Sequence, residues 1–354
     1  MILLFIFLLM SCCFFLSSAE DYLPRHYHKP IVWTVIVAMV LISGTRPGTN
    51  VSDYAVYEEI FYNFDSTMNQ ISVEQTFLLL CELVYHLGGT IRWVIWVYAL
   101  LSIPLKIYAL SRMVPQQIFL LAIPIYLANF FQLHDCEQMR IAAALAITMY
   151  AMLLQIEGKR WQWILLLIVA ATFHHTALAL FVPLALTPRT SLSMRWRWGL
   201  FAMIVVGVAC WGLKINPVTT IPIPYIEAKM ALYELAISKG EHPDVLIIHP
   251  IVLLRIITFC YVLYFYDTIY EQLKCINMVL VCEALGLFCW FGLSQTSVFA
   301  VRMSELFEVT EVILFASVIY TVKPVWLAKI YPCLFALYLF VYGCWVNQFG
   351  FYGA

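Results

Sequence analysis

The chain reads as an all-α polytopic integral membrane protein, with about 10–12 transmembrane or re-entrant helices and two outer loops. Three observations predict this. Of its 354 residues 63% are hydrophobic and only 12% charged, and its mean hydropathy is +0.87, which excludes an ordinary soluble domain. Apolar segments of spanning length recur along the whole chain. The few charges gather at the ends of those segments, where Arg46, Arg92, Arg140, Arg255 and Arg302 lie at or just inside the apolar boundary. An arginine near hydrocarbon is kept only with a partner, so five of them suggest a pocket for something anionic.

A helix needs about 20 apolar residues to cross the hydrocarbon. Segments near that length run at 2–19, 30–44, 91–111, 116–133, 137–156, 197–214, 249–266, 274–292, 303–322 and 325–347. The first ends in Ser17-Ser18-Ala19 but lacks the basic start of a signal peptide, so it reads as a retained helix. Residues 75–88 are too short to span. Residues 161–187 are too long for one straight helix and are interrupted at His174-His175 and Pro183. Irregular backbone at membrane depth is tolerated only inside protein or along a cavity, so these two elements are where a site is expected.

Basic residues in short loops favour the cytoplasm. Lys29, Arg112, Lys159, Arg160, Arg189, Arg195, Lys274 and Lys323 all fall there if 75–88 and 161–187 both return to the side they left. That topology puts the polar connections 45–74 and 215–248 outside as two periplasmic loops, together with the five arginines. The whole of 1–354 reads as one transmembrane domain. No basic run suggests a nucleic-acid partner. The 11 cysteines lie mostly inside apolar segments without metal-ligand spacing, and they read as small hydrophobes. Neither a metal nor a cofactor is expected.

Four segments carry candidate chemistry. In the first loop, Gly44, Pro47 and Gly48 turn the chain at the membrane surface and hold Arg46 there. Asp53, Tyr54 and Tyr57 follow, and Glu74 opens the next apolar segment; the tyrosines offer faces that stack on sugar rings. In the second, Arg140 enters the membrane with Glu137 at i−3 as a ready partner and opens an alanine-rich helix suited to the protein centre. The third is the His174-His175 break, where an imidazole could serve as a base. In the fourth, Arg302 precedes Glu305, Glu308 and Glu311, a charged stripe that lipid cannot face. Before Arg255, the segment with Tyr225, Lys229, Tyr233, Lys239 and His242 reads as a surface helix.

At these residues the chain resembles the Wzy-type polymerases of bacterial O-antigen and exopolysaccharide assembly, particularly their EpsG-like branch. The resemblance rests on Arg46…Asp53…Tyr57, the short helix from Glu74 to Leu87-Gly88-Gly89, Arg140 before its Ala/Leu helix, Phe173-His174-His175-Thr176-Ala177-Leu178, and Arg302 before Glu305 and Glu308. It covers about residues 30 to 320. It implies a glycosyltransferase-type, multi-pass enzyme of the bacterial inner membrane whose active site faces the periplasm. Such an enzyme polymerises repeat units carried on undecaprenyl pyrophosphate, which is the leaving group, and its implied partners are a chain-length regulator and a flippase of the same pathway. Arginines aimed at the leaving group would stabilise its developing charge without a metal. On this reading Arg140 and Arg302 grip the pyrophosphate with Arg46 and Arg255 assisting. Tyr54 and Tyr57 meet the sugar, and His174, Asp53 or Glu74 takes the acceptor proton. Two alternatives stay open: an O-antigen ligase, which shares the donor, and a polytopic transporter or flippase of an anionic lipid-linked substrate.

Overall fold

The computed structural model describes residues 2–19, 24–48, 52–217 and 247–345, and every regular element in them is helical. The second outer loop lies almost wholly outside the described residues, and with it Tyr225, Lys229, Tyr233, Lys239 and His242. Three helices are long and apolar enough to cross a membrane, or up to five if each of two bent pairs is one span; shorter apolar helices of 10–17 residues accompany them. The chain is a multi-pass membrane protein.

The described chain divides into two compact units. The first, residues 1–181 with 315–354, begins with α1 (Ile2–Ser18), α2 (His28–Gly44), α3 (Ser52–Tyr62), α4 (Thr67–Ser72) and α5 (Gln75–His86). It continues through α6 (Ile91–Met113), α7 (Gln116–Ala128), α8 (Met139–Ile156) and α9 (Arg160–Phe173) to the first residue of α10 (Phe181–Leu186), whose remaining residues belong to the second unit. The second, residues 182–314, holds α11 (Met194–Gly212), α12 (Pro250–Tyr264), α13 (Tyr266–Gln272), α14 (Ile276–Gly292), α15 (Ser297–Glu308) and most of α16 (Glu311–Ala316). The last helix, α17 (Val325–Trp345), returns to the first unit.

In the first unit α8 is the central element. It packs against α6 and α9, and 83% of its 18-residue apolar window is buried. Ala142, Ala143, Ala144 and Ala146 are each at most 1% exposed, because small side chains let the neighbouring backbones approach closely. The same logic joins α2 to α6: a Cβ on Gly44 would come within 2.5 Å of the Trp96 indole. Turns set the remaining geometry. Gly88 adopts φ +73 after α5, a conformation glycine reaches at no steric cost.

Two departures from regular helix matter most. After α7 the chain bends by 63° into a π-helical turn, Phe131–Glu137; such turns are rare and often mark functional or strained places. The expected interruption of 161–187 falls at His174. There α9 stops, His174 is extended (φ −158, ψ 118), and the chain resumes as a 3₁₀ turn, His175–Leu180.

The π-helical turn carries a buried ion pair. Lys106, inside α6 and 1% exposed, donates to both Asp135 oxygens at 2.9 and 3.0 Å and lies 2.9 Å from the Tyr126 hydroxyl. Tyr126 and Ser102 donate to the same carboxylate. Removing one member of a buried pair strands the other charge in an apolar interior. Asp135→Ala should therefore cost roughly 3–5 kcal/mol, while Lys106→Met with Asp135→Leu should recover most of that loss. Thermal unfolding of the detergent-purified variants checks this; equal loss in single and double variants would contradict it.

Candidate functional site

A second polar centre is built where four segments of the first unit meet. Glu74 is the residue before α5, at the positive end of that helix, where a carboxylate is favoured. It does not cap α5 with its side chain but reaches to other elements. Its Oε2 accepts from Arg140 Nη1 at 2.5 Å, and its Oε1 lies 2.6 Å from His174 Nδ1 and 3.7 Å from His175 Nδ1. Nearby, the Thr76 hydroxyl donates to the Thr172 carbonyl at 2.6 Å and ties the start of α5 to the end of α9. Arg140 is the second residue of α8, whose first turn has no side-chain cap. The break at His174 turns that imidazole toward the carboxylate.

Burial grades across the centre. The Glu74 side chain is 6% exposed, Arg140 23%, His174 28% and His175 60%. The carboxylate is therefore enclosed while both partners keep an open side. Burial alone would raise the Glu74 carboxyl, but the His174 hydrogen bond and the Arg140 charge outweigh it and hold the group at about 2. An ionised carboxylate only accepts, so the proton of His174 sits on Nδ1 and leaves Nε2 as the basic nitrogen. A carboxyl held that low is a poor proton acceptor at neutral pH. Of the three candidate bases, Glu74 is thus the anchor of the imidazole.

Aromatic rings form the floor. The Arg140 guanidinium lies 5.7 Å from the ring centroids of both Tyr57 and Phe77. Tyr57 is 3% exposed, so it has little face left for a sugar; it supports the arginine. Its hydroxyl donates to Asp53 Oδ2 at 3.5 Å. Tyr54 is half-buried and packs on the same cluster.

The remaining predicted arginines are placed differently. Arg46 is 1% exposed and donates through Nη1 to the Ser43 carbonyl, the Ser43 hydroxyl and the Asp135 carbonyl at 3.1–3.2 Å. Its Nε and Nη2 are enclosed without a hydrogen-bond partner, so an anion could reach them only by displacing protein. Arg255, in the second unit, is 2% exposed. It donates to Glu283 at 2.9 Å and to Glu308, and lies 3.8 Å from Glu311. Enclosed among these three side chains, the guanidinium keeps almost no surface for a diphosphate, so the expected assisting role of Arg255 does not fit its surroundings. Arg302 is half-buried on α15, within electrostatic reach of Glu305.

Sequence spacing pointed to Glu137 as the partner of Arg140; the carboxylate on its guanidinium is Glu74, 66 residues away. Lys106, Asp135 and Glu283 were not singled out. The available signal was that Lys106 and Glu283 each stand as an isolated charge deep in an apolar segment.

The low Glu74 group gives a pH prediction. Its folded value lies below its ordinary one of 4.5, so its stabilising contribution is present above pH 4.5 and is lost as the pH falls toward about 2. Thermal stability measured from pH 6 down to 3 should therefore fall more steeply for the native chain than for Glu74→Gln, which lacks the titrating carboxylate; parallel acid limbs in the two proteins would overturn this.

A family model described as the EpsG family matches residues 30–352. No curated protein and no solved structure matches the chain. The matched range contains Glu74, Arg140 and His174 and covers most of the sequence, so the chain belongs to the EpsG family, linked to exopolysaccharide biosynthesis.

Proposed function

We propose that this protein is a glycosyltransferase-type polymerase of lipid-linked repeat units, acting at the periplasmic face of the bacterial inner membrane. The donor is a growing glycan on undecaprenyl pyrophosphate, and the product is O-antigen or exopolysaccharide. The acceptor hydroxyl attacks the anomeric carbon, the bond from that carbon to the pyrophosphate oxygen breaks, and undecaprenyl pyrophosphate leaves. The acceptor proton goes to His174 Nε2. The negative charge that builds on the leaving group meets Arg140.

The observation that carries this reading is the sharing of one buried carboxylate between a partly open arginine and a partly open histidine. Glu74 fixes the tautomer and the orientation of the imidazole, as the third member does in other base-assisted sites. Arg140 sits at the N-terminal end of α8, where unsatisfied N–H groups and the helix dipole add to its field. Positioned donors of this kind stabilise a departing phosphate without a metal. Arg302 is kept as a second pyrophosphate ligand and Tyr54 as the sugar contact. Asp53 acts through Tyr57 to steady Arg140. Arg46 joins only if the protein around it opens. A flippase and a chain-length regulator of the pathway are the partners the reading calls for.

The test is elongation of undecaprenyl-pyrophosphate-linked repeat units by detergent-purified protein without an ion gradient. His174→Ala should lower kcat by about 10²–10⁴. Arg140→Ala should abolish long polymer, and Arg302→Ala should shorten it. Long polymer from both arginine variants at normal membrane levels would overturn the assignment of the leaving-group site. An unchanged rate in His174→Ala would overturn the assignment of the base.

A further inference from the structure

A groove of about 760 Å³ lies between α2 and α6 in the first unit. Its walls are aliphatic and aromatic, with Val32, Ile36, Leu101 and Leu105 among them and Trp33 at its edge, 63% exposed. Pro104 lines it too and has no N–H, so the Leu100 carbonyl, also on the groove, lacks its usual helical donor. The polarity is confined to one end. His28 and Lys29 open α2, Ser111 and Arg112 close α6, and all four line the same groove.

Two features of that end favour an anion. Lys29 and Arg112 are exposed along it. His28 Nδ1 is enclosed without a hydrogen-bond partner. An apolar trench would not be needed to hold a free phosphate. A cationic end on an apolar trench, between two membrane helices, matches a phosphate with a long hydrocarbon tail, and basic pockets between membrane helices bind anionic head groups for this reason.

We propose that this groove is a binding site for one anionic glycerophospholipid. The headgroup phosphate is held by Lys29, Arg112 and His28, and an acyl chain lies along Val32, Leu101 and Leu105. The positive-inside orientation puts this end at the cytoplasmic leaflet, whereas Arg140 opens α8 at the end where α6 begins. The site therefore does not rest on the proposed polymerase reaction.

The experiment uses the full-length protein in nanodiscs with photoactivatable phosphatidylglycerol or photoactivatable phosphatidylcholine, with cross-links mapped by peptide. Phosphatidylglycerol should label 28–36 and 100–112 about tenfold more than phosphatidylcholine does. Lys29→Glu with Arg112→Glu should remove that preference. Lys29→Arg with Arg112→Lys should keep it, as should Arg160→Glu, an exposed basic residue at the start of α9 and outside the groove. Both groove side chains are exposed, so the charge changes spare the core. Equal labelling by the two lipids, labelling spread over other helices, or loss of preference in Arg160→Glu to the same extent would overturn the proposal.

Discussion

An ionised side chain in an apolar interior is stabilised by a counter-charge inside the protein, and this constraint organises three polar centres among the described residues. The chain meets it in three ways. Lys106 is matched by Asp135, with Tyr126 and Ser102 completing the carboxylate. Arg255 is surrounded by Glu283, Glu308 and Glu311. Glu74 is matched by Arg140 and His174. In the first two the cation is sealed, at 1% and 2% exposure. In the third the anion is sealed and both its partners keep part of their surface open. A sealed balanced pair holds helices in register, whereas a sealed anion with open partners leaves groups that act on something else.

The backbone explains why the open centre forms where it does. A continuous helix through 161–187 would carry His174 past the carboxylate at a fixed helical angle. Stopping α9 at Phe173 and extending His174 frees the imidazole to meet Glu74. Residue 74 lies just outside α5, in extended conformation (φ −65, ψ 135), so its side chain is not confined to that helix surface. Arg140 stands in the first turn of α8, where the chain has just left the π-helical turn. All three side chains of this centre thus lie at an end or a break, which is where local backbone freedom lets residues distant in sequence converge.

Much of this was legible in the sequence, and the reasons for the rest are physical. Composition and segment length were enough for an all-helical membrane protein. The His174-His175 interruption was legible because it breaks an apolar run of unusual length. Glu74 and Arg140 stood out as charges at apolar boundaries. Their pairing did not, because helical spacing reports only neighbours three or four residues apart, and it offered Glu137. The aromatic residues misled in another way. An exposed tyrosine that stacks on sugar and a buried one that supports a guanidinium have the same sequence signal, and only the 3% exposure of Tyr57 separates them. Asp135 escaped notice because it sits in a polar stretch, His134 to Gln138, that reads as a surface turn; the π-helical turn takes it into the interior.

Arginine count alone is therefore a poor guide to anion binding in a protein of this kind. What matters is the sum of charge around each guanidinium and the surface it keeps. Arg255 faces an excess of carboxylates and is enclosed, so its field is spent within the fold. Arg140 shares a single carboxylate with an imidazole, rests on two aromatic faces that cost it no charge, and retains 23% of its surface. The helix it opens adds positive potential at the same place. On the proposed reaction, a departing diphosphate brings more negative charge than Glu74 removes, so the same guanidinium would hold the imidazole's anchor in the resting protein and meet the leaving group during transfer. That dual contact would link base and electrophilic partner through one buried carboxylate, and it makes the position of Glu74, more than the number of arginines, the feature on which the proposal turns.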